Sequence, residues 1–271
     1  MFLPKLSSGN LSKLSSKLSS KKIFIASTCS CLALSTAIAM PLFWLSLWTP
    51  SAQAQSRRVR YVPPSNLDAP KVTVPGITRS AGCTELRCLI GLVPDIQIEL
   101  ETSPAPQTIS ERPTFYFLVP KIDGMAYFRL FETNATLTKG KRIYRTSFPI
   151  KTNSGIIAFK LPDDAPSLKP DQNYIWEFTV GDLIDAETVR GSVRRVTPNQ
   201  ALLTELQKTS APIDRAALLA QSGIWFETVQ TLAESQQQSI RKDPEVLTEW
   251  NALLKSASLN RVLPYSFLKL K

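Results

Sequence analysis

The sequence contains no histidine. That absence excludes Ser-His and Cys-His nucleophilic machinery and histidine-ligated metals, because each requires an imidazole as base or ligand. Cysteine is scarce, four in 271 residues. Cys29 and Cys31 sit early in an apolar run, which leaves Cys83 and Cys88 for any folded part. A lone C-x4-C pair without histidine does not make a zinc site. Acidic residues are absent from residues 1–54, although the chain holds 22 Asp and Glu in total.

What stands in that acid-free stretch is a leader. Lys5, Lys13, Lys17, Lys21 and Lys22 precede an apolar run from Ile23 to Trp48, followed by Ser51-Ala52-Gln53-Ala54-Gln55. Basic, apolar and small-residue regions in this order form a signal peptide, cut after Ala54. The alternative is an uncleaved inner-membrane anchor through residues 23–48, which are numerous enough to span a bilayer. Pro41 within the run and the A-x-A site favour cleavage, and the mature chain is expected in the periplasm or cell envelope. Losing 54 of 271 residues leaves 217, enough for a sizeable core. The formal charge of +10 then falls to +5, since five of 32 basic residues leave and 27 face 22 acids. Weak attraction to anionic polymers or headgroups follows, or simply a solvated surface. No dense basic stripe runs along the sequence, so nucleic acid is not an expected partner.

Residues 55–88 read as a linker rich in proline and arginine, with Pro63, Pro64, Pro70 and Pro75. Arg57, Arg58 and Arg60 would let it touch an anionic surface. Residues 89–196 read as strands. Ile96, Ile98 and Leu100 alternate with Gln97, Glu99 and Glu101, and Thr114 to Val119 is aromatic and β-branched. Tyr127–Phe131, Arg142–Phe148, Gly155–Leu161, Asn173–Val180 and Glu187–Val196 continue the series. Asp123-Gly124, Lys139-Gly140 and Pro162-Asp163-Asp164 are the expected turns between them. Short strands at regular spacing predict an antiparallel β-sandwich of immunoglobulin-like type.

Residues 197–271 change texture. Thr197 as cap, Pro198 in the first turn and Gln200 closing a capping box predict a helix over 198–209. Helices over 212–221, 223–237 and 244–256 follow, the last capped by Asp243 with Val246, Leu247, Trp250, Leu253 and Leu254 on one stripe. Trp225, Val229, Leu232 and Ala233 form the stripe of the third helix. Trp225 and Trp250 are expected to be core anchors of the helical part. Short helices with tight turns make a small all-α, tetratricopeptide-like domain, too short for a repeat array. The fold class is thus α+β: sandwich first, helices second.

Several segments together resemble a known family. They are Gly82-Cys83, Leu89-Ile90-Gly91-Leu92-Val93-Pro94, Arg112-Pro113-Thr114-Phe115-Tyr116-Phe117, Ile143-Tyr144-Arg145, Tyr174-Ile175-Trp176, Gly191 with Arg194 and Arg195, Gly223-Ile224-Trp225-Phe226, and Trp250 with Leu253-Leu254. The ordered set resembles a cyanobacterial exported family catalogued as domain of unknown function 928. The resemblance implies an exported cyanobacterial protein and carries no activity. Members of that family commonly show a cysteine where this chain has Gly181, and a tyrosine where it has Leu218 or Leu219. A bridge from Cys83 to the Gly181 strand is therefore impossible here, and Cys88 is the substitute partner.

Candidate chemistry is sparse. A local Cys83–Cys88 disulfide suits an oxidising compartment and would add about 2 kcal/mol, with buried free thiols as the alternative. Glu99 and Glu101 share one strand face, the spacing of a glycosidase-like carboxylate pair or of a wet sheet face. Asp182, Asp185 and Glu187 could hold calcium through oxygen ligands, or simply form an acidic turn. Phe115, Tyr116, Phe117, Tyr174, Trp176 and Phe178 could line a glycan-binding face, but alternation sends most of them into the core. No catalytic residue, cofactor or metal ligand is assigned. The expected role is a non-enzymatic binding or assembly module for an envelope protein or glycan. The alternative is a carboxylate-dependent hydrolase of envelope carbohydrate.

Overall fold

The computed structural model describes residues 59–64, 88–94, 105–134, 138–182, 186–238 and 243–268. The leader, Arg57, Arg58, Cys83, the Ile96–Glu101 segment and Asp185 lie outside the described residues. Among the described residues the strands are β1 (Ile90–Gly91), β2 (Gln107–Thr108), β3 (Thr114–Val119), β4 (Ile122–Thr133), β5 (Lys139–Thr152), β6 (Gly155–Lys160), β7 (Asn173–Val180) and β8 (Glu187–Arg195). Helices α1 (Gln200–Lys208), α2 (Pro212–Gln221), α3 (Trp225–Gln238) and α4 (Pro244–Ser256) follow, with a short 3₁₀ turn at Asn260–Val262.

The strands form two sheets, β1-β3-β6 and β2-β8-β7-β4-β5. Their facing sides meet through aromatic rings: Phe117 of β3 stacks on Phe178 of β7 at 4.0 Å, and Phe128 of β4 lies 4.5 Å from Phe159 of β6. Period-two alternation aims Tyr174, Trp176 and Phe178 at this interior, where all three are buried as expected. Tyr116 points to the opposite side of β3, yet it too is covered, edge-on against Phe267 of the C-terminal segment.

Three details depart from the sequence expectation. Pairing is not wholly antiparallel, because β2 runs parallel to β8 through Gln107↔Arg194 and Thr108↔Arg195. Asp123-Gly124 and Lys139-Gly140 are not turns. The long β4–β5 hairpin continues through them, with Asp123 opposite Lys151 and ion-paired to it at 2.5 Å. Pro162-Asp163-Asp164 does turn, closed by the Ala165 amide donating to the Pro162 carbonyl.

The helices start and stop for local reasons. Asn199, not Thr197, caps α1: its side chain accepts from the Leu202 amide at 2.8 Å, and Pro198 lies outside the helix. Asp243 caps α4 as expected, accepting from the Glu245 amide with Pro244 behind it. Leu247 is exposed, because the buried stripe of α4 runs Val246, Trp250, Leu253, Leu254 and Leu247 falls off its edge. Gly223 joins α2 to α3 at φ +75°, a backbone that side chains resist.

Strands and helices do not keep separate interiors. One apolar cluster runs from Phe115 and Trp176 through Phe226 and Trp225 to Trp250 and Leu254. Phe115 meets Phe226 edge-on at 5.3 Å, and the Trp225 indole donates to the Leu92 carbonyl at 2.8 Å. The described strands and helices belong to one compact unit. Part of the expected linker also belongs to it. Val59 and Tyr61 are buried, the Val59 amide donates to Glu249, the Tyr61 amide to Ser256 Oγ, and the Val62 amide to the Ala220 carbonyl. Residues 59–64 are thus a strap across α2 and α4, held by backbone donors that a free linker would leave to water.

Candidate functional site

The five-stranded sheet buries one side against β1-β3-β6; alternation turns the other side outward. Register places Arg190, Glu177, Arg129 and Arg145 in one row across β8, β7, β4 and β5. The neighbouring row holds Ser192, Ile175, Phe131 and Arg142. Thr188, Thr179, Tyr127 and Ser147 form the row on the other side. Beyond the Phe131 row lie Arg194 opposite Asn173 and Lys139 opposite Thr133. Three strand spacings carry the first row over about 14 Å.

Charge on this face is of nearly one sign. Glu177 is its central acid, with its side chain 6% exposed beneath three cations: Lys139 at 2.9 Å, Arg190 at 2.9 Å and Arg129 at 3.8 Å. Those cations remain 46%, 48% and 36% exposed, so the carboxylate neutralises them from below and leaves their outer sides to solvent. Arg190 approaches Glu177 through Nε. Arg142 and Arg145 have no carboxylate partner among the described residues. Arg194 reaches Asp171 at 3.8 Å, at the margin. The Lys139 ammonium also lies over the Phe131 ring, 4.7 Å from its centre.

Along β5 the face dips into a cavity of about 410 Å³ lined by Tyr127, Arg129, Arg142, Arg145, Thr146 and Ser147. Three arginines with Tyr127 and Ser147 on the outward side of the sheet make a lining suited to oxygen-rich anions. Sequence reading missed this site. Its cations are separated by up to some sixty positions, and the only hint was the residual charge of +5. Strand order, not proximity in sequence, gathers them.

The residues singled out from sequence fare differently. Glu99 and Glu101 lie outside the described residues, as does Asp185 between Asp182 and Glu187. Among the described residues no group of three or more carboxylates and cysteines is placed to hold a metal. Cys88 is disulfide-bonded, and Cys83 lies outside the described residues. Arg60 is exposed beside the buried strap. Trp225 and Trp250 are both buried, but Trp225 ties the helices to the β1 segment, and Trp250 packs at 5.1 Å on Phe267.

The other buried carboxylates are structural. Glu249 accepts the Val59 amide of the strap at 2.6 Å. Glu227 accepts the Thr108 hydroxyl at 2.5 Å and the Ser110 amide at 3.1 Å, tying α3 to the β2 edge. Burial pushes the Glu227 carboxyl above its ordinary range, partly offset by those hydrogen bonds. Its other oxygen is buried without a partner in the described structure.

Among the described residues, the fold and face define an α+β protein of two sheets and four helices that carries a basic sheet platform. The chain belongs to the family described as Domain of Unknown Function (DUF928), whose model matches residues 74–266. No curated protein and no solved structure matches the chain. Within the matched region, the Gly-Leu, Tyr-x-Trp and Gly191 motifs meet at one point. The Trp176 indole lies between Gly91 and Gly191, where an added Cβ would stand 2.4 Å and 2.2 Å from the ring. Arg112 and Arg195 clamp the 161–172 loop, donating to the Ala165 and Leu168 carbonyls.

Proposed function

We propose that this is an exported cell-envelope protein of a cyanobacterium that binds or assembles an envelope component without catalysing a reaction. In this reading residues 1–54 are a cleaved signal peptide, the two sheets are an immunoglobulin-like sandwich, and α1–α4 are a tetratricopeptide-like buttress. Cys88 pairs with Cys83, the other cysteine that survives cleavage. The observation that carries the proposal is the outer face of the five-stranded sheet, where Arg129, Arg190 and Lys139 pair with the buried Glu177 and Arg142, Arg145 and Arg194 extend the positive charge across the strands. Burying Glu177 there costs desolvation, and its three cations offset that cost while staying available to a ligand. Such a platform recognises a partner by electrostatic complementarity, with no need for a nucleophile or base.

The test has two parts. N-terminal sequencing of the native protein is expected to begin at Gln55. A photo-crosslinking amino acid replacing Arg145 in intact cells is expected to label envelope material, identified by mass spectrometry, and an equivalent probe at Lys208 on α1 is not. Retention of Lys21 in a cytoplasmic product, or equal labelling from both positions, would reject the reading.

A further inference from the structure

We infer that the outer face of the five-stranded sheet binds an acidic polysaccharide, a glycan chain carrying carboxylate or sulfate groups along its length. This deepens the proposed function and rests on it. Three independent features of the face favour that ligand. First, the cations are arrayed, not clustered at a point. Arg190, Arg129 and Arg145 follow one row over about 14 Å, and Arg142 and Lys139 extend the array toward the next rows. An extended polymer with repeated anions matches an array, whereas one phosphate would need convergent donors. Second, the cavity beside the row adds Tyr127 and Ser147, which face outward opposite one another, to its arginines. Thr179 and Thr188, whose hydroxyls lie 2.9 Å apart, continue the same row. A sugar ring offers an apolar face to an aromatic and hydroxyls to hydroxyls, and its acid group takes the guanidinium fork.

Third, the face lacks what a bilayer surface would reward. The exposed large apolar residues among those described are Val62 and Leu247, and neither belongs to this sheet. Peripheral membrane binding gains most from an apolar edge inserted below the headgroups, so charge without that edge favours a hydrated polymer. The net charge agrees. The mature chain has a surplus of five positive charges, from 27 basic and 22 acidic residues. The six cations of this face outnumber Glu177 and Asp171 by four, so most of that surplus can stand on one sheet.

Arg142 and Arg145 provide the handle for the experiment, because both are exposed on edge strand β5 and support no described contact. The full mature chain is titrated with alginate, a polyuronate, and with dextran sulfate. Neutral dextran and vesicles of phosphatidylglycerol are the parallel arms. Both acidic glycans are expected to bind, at least about tenfold more weakly as salt rises from ~50 to ~500 mM, and neutral dextran is not. Arg142→Glu with Arg145→Glu is expected to weaken glycan binding by at least about tenfold while leaving the melting temperature unchanged. Lys208→Glu with Lys255→Glu changes net charge equally but lies on α1 and α4, and is expected to leave binding nearly intact. Equal losses in the two double variants would reduce the effect to net charge and overturn the inference. Vesicle binding as tight as glycan binding would overturn it in favour of lipid. If the glycans fail while crosslinks from position 145 still reach envelope protein, the ligand assignment falls and the broader function stands.

Discussion

Trp176 shows how a single side chain dictates its neighbours. Its indole is buried between Phe115 and Phe117, with edge-on contacts at 5.9 and 5.5 Å, and it has no room to retreat from Gly191. Gly191→Ala therefore places a methyl into an occupied volume, an overpacking that costs about 1–3 kcal/mol. In a domain of this size the melting temperature is expected to drop by roughly 2–10 °C, and an unchanged melt would refute the slot. Glu227 yields a prediction of a different kind. Its carboxyl takes up a proton in the folded chain at higher pH than in the unfolded chain, because burial disfavours the charge. The stabilisation linked to that proton is full below the unfolded value and is lost as pH rises through the folded one. As pH rises above the ordinary carboxylate range the wild-type melting temperature is expected to fall relative to that of Glu227→Gln. A difference between the two that does not vary with pH would contradict this.

At the scale of elements, α3 is the hinge between layers. Its buried stripe, Trp225, Phe226, Val229, Leu232 and Ala233, faces both the other helices and the three-stranded sheet. Trp225 meets Tyr61 of the strap edge-on at 5.0 Å and donates to Leu92. Truncation of Trp225 or Trp250 to alanine is expected to cost about 3–5 kcal/mol in thermal or denaturant melts. Trp225 should be the costlier, since its loss also strips the buried Leu92 carbonyl of its donor. Unchanged midpoints would mean that the tryptophans serve recognition instead. The element-level reading from sequence was good where periodicity was sustained. β3 and β7 fall at the expected residues, as do α2 and α4. The two-residue strands β1 and β2 carry no periodicity to read, and Thr197 and Asn199 are both competent caps. Only the position of the Leu202 amide selects Asn199.

For the whole molecule, the shared core has a thermodynamic consequence. Phe115, Phe226, Trp225 and Trp250 belong to one apolar cluster, so neither the sheets nor the helices can melt without exposing surface on the other. The helical far-UV signal and tryptophan fluorescence are expected to follow one coincident transition. Two resolved transitions would show that the strand and helical parts are separate folding units. What the sequence determined by itself was local. Strands, helices and the core tryptophans follow from nearest-neighbour chemistry and from periods of two and 3.6, which one segment carries alone. The strap, the slot around Trp176 and the basic face required the tertiary structure. Each joins residues far apart in the chain, and no local pattern encodes strand order. Only the arrangement β8-β7-β4-β5 brings Arg190, Arg129 and Arg145 into one row over Glu177, converting scattered positive charges into a platform.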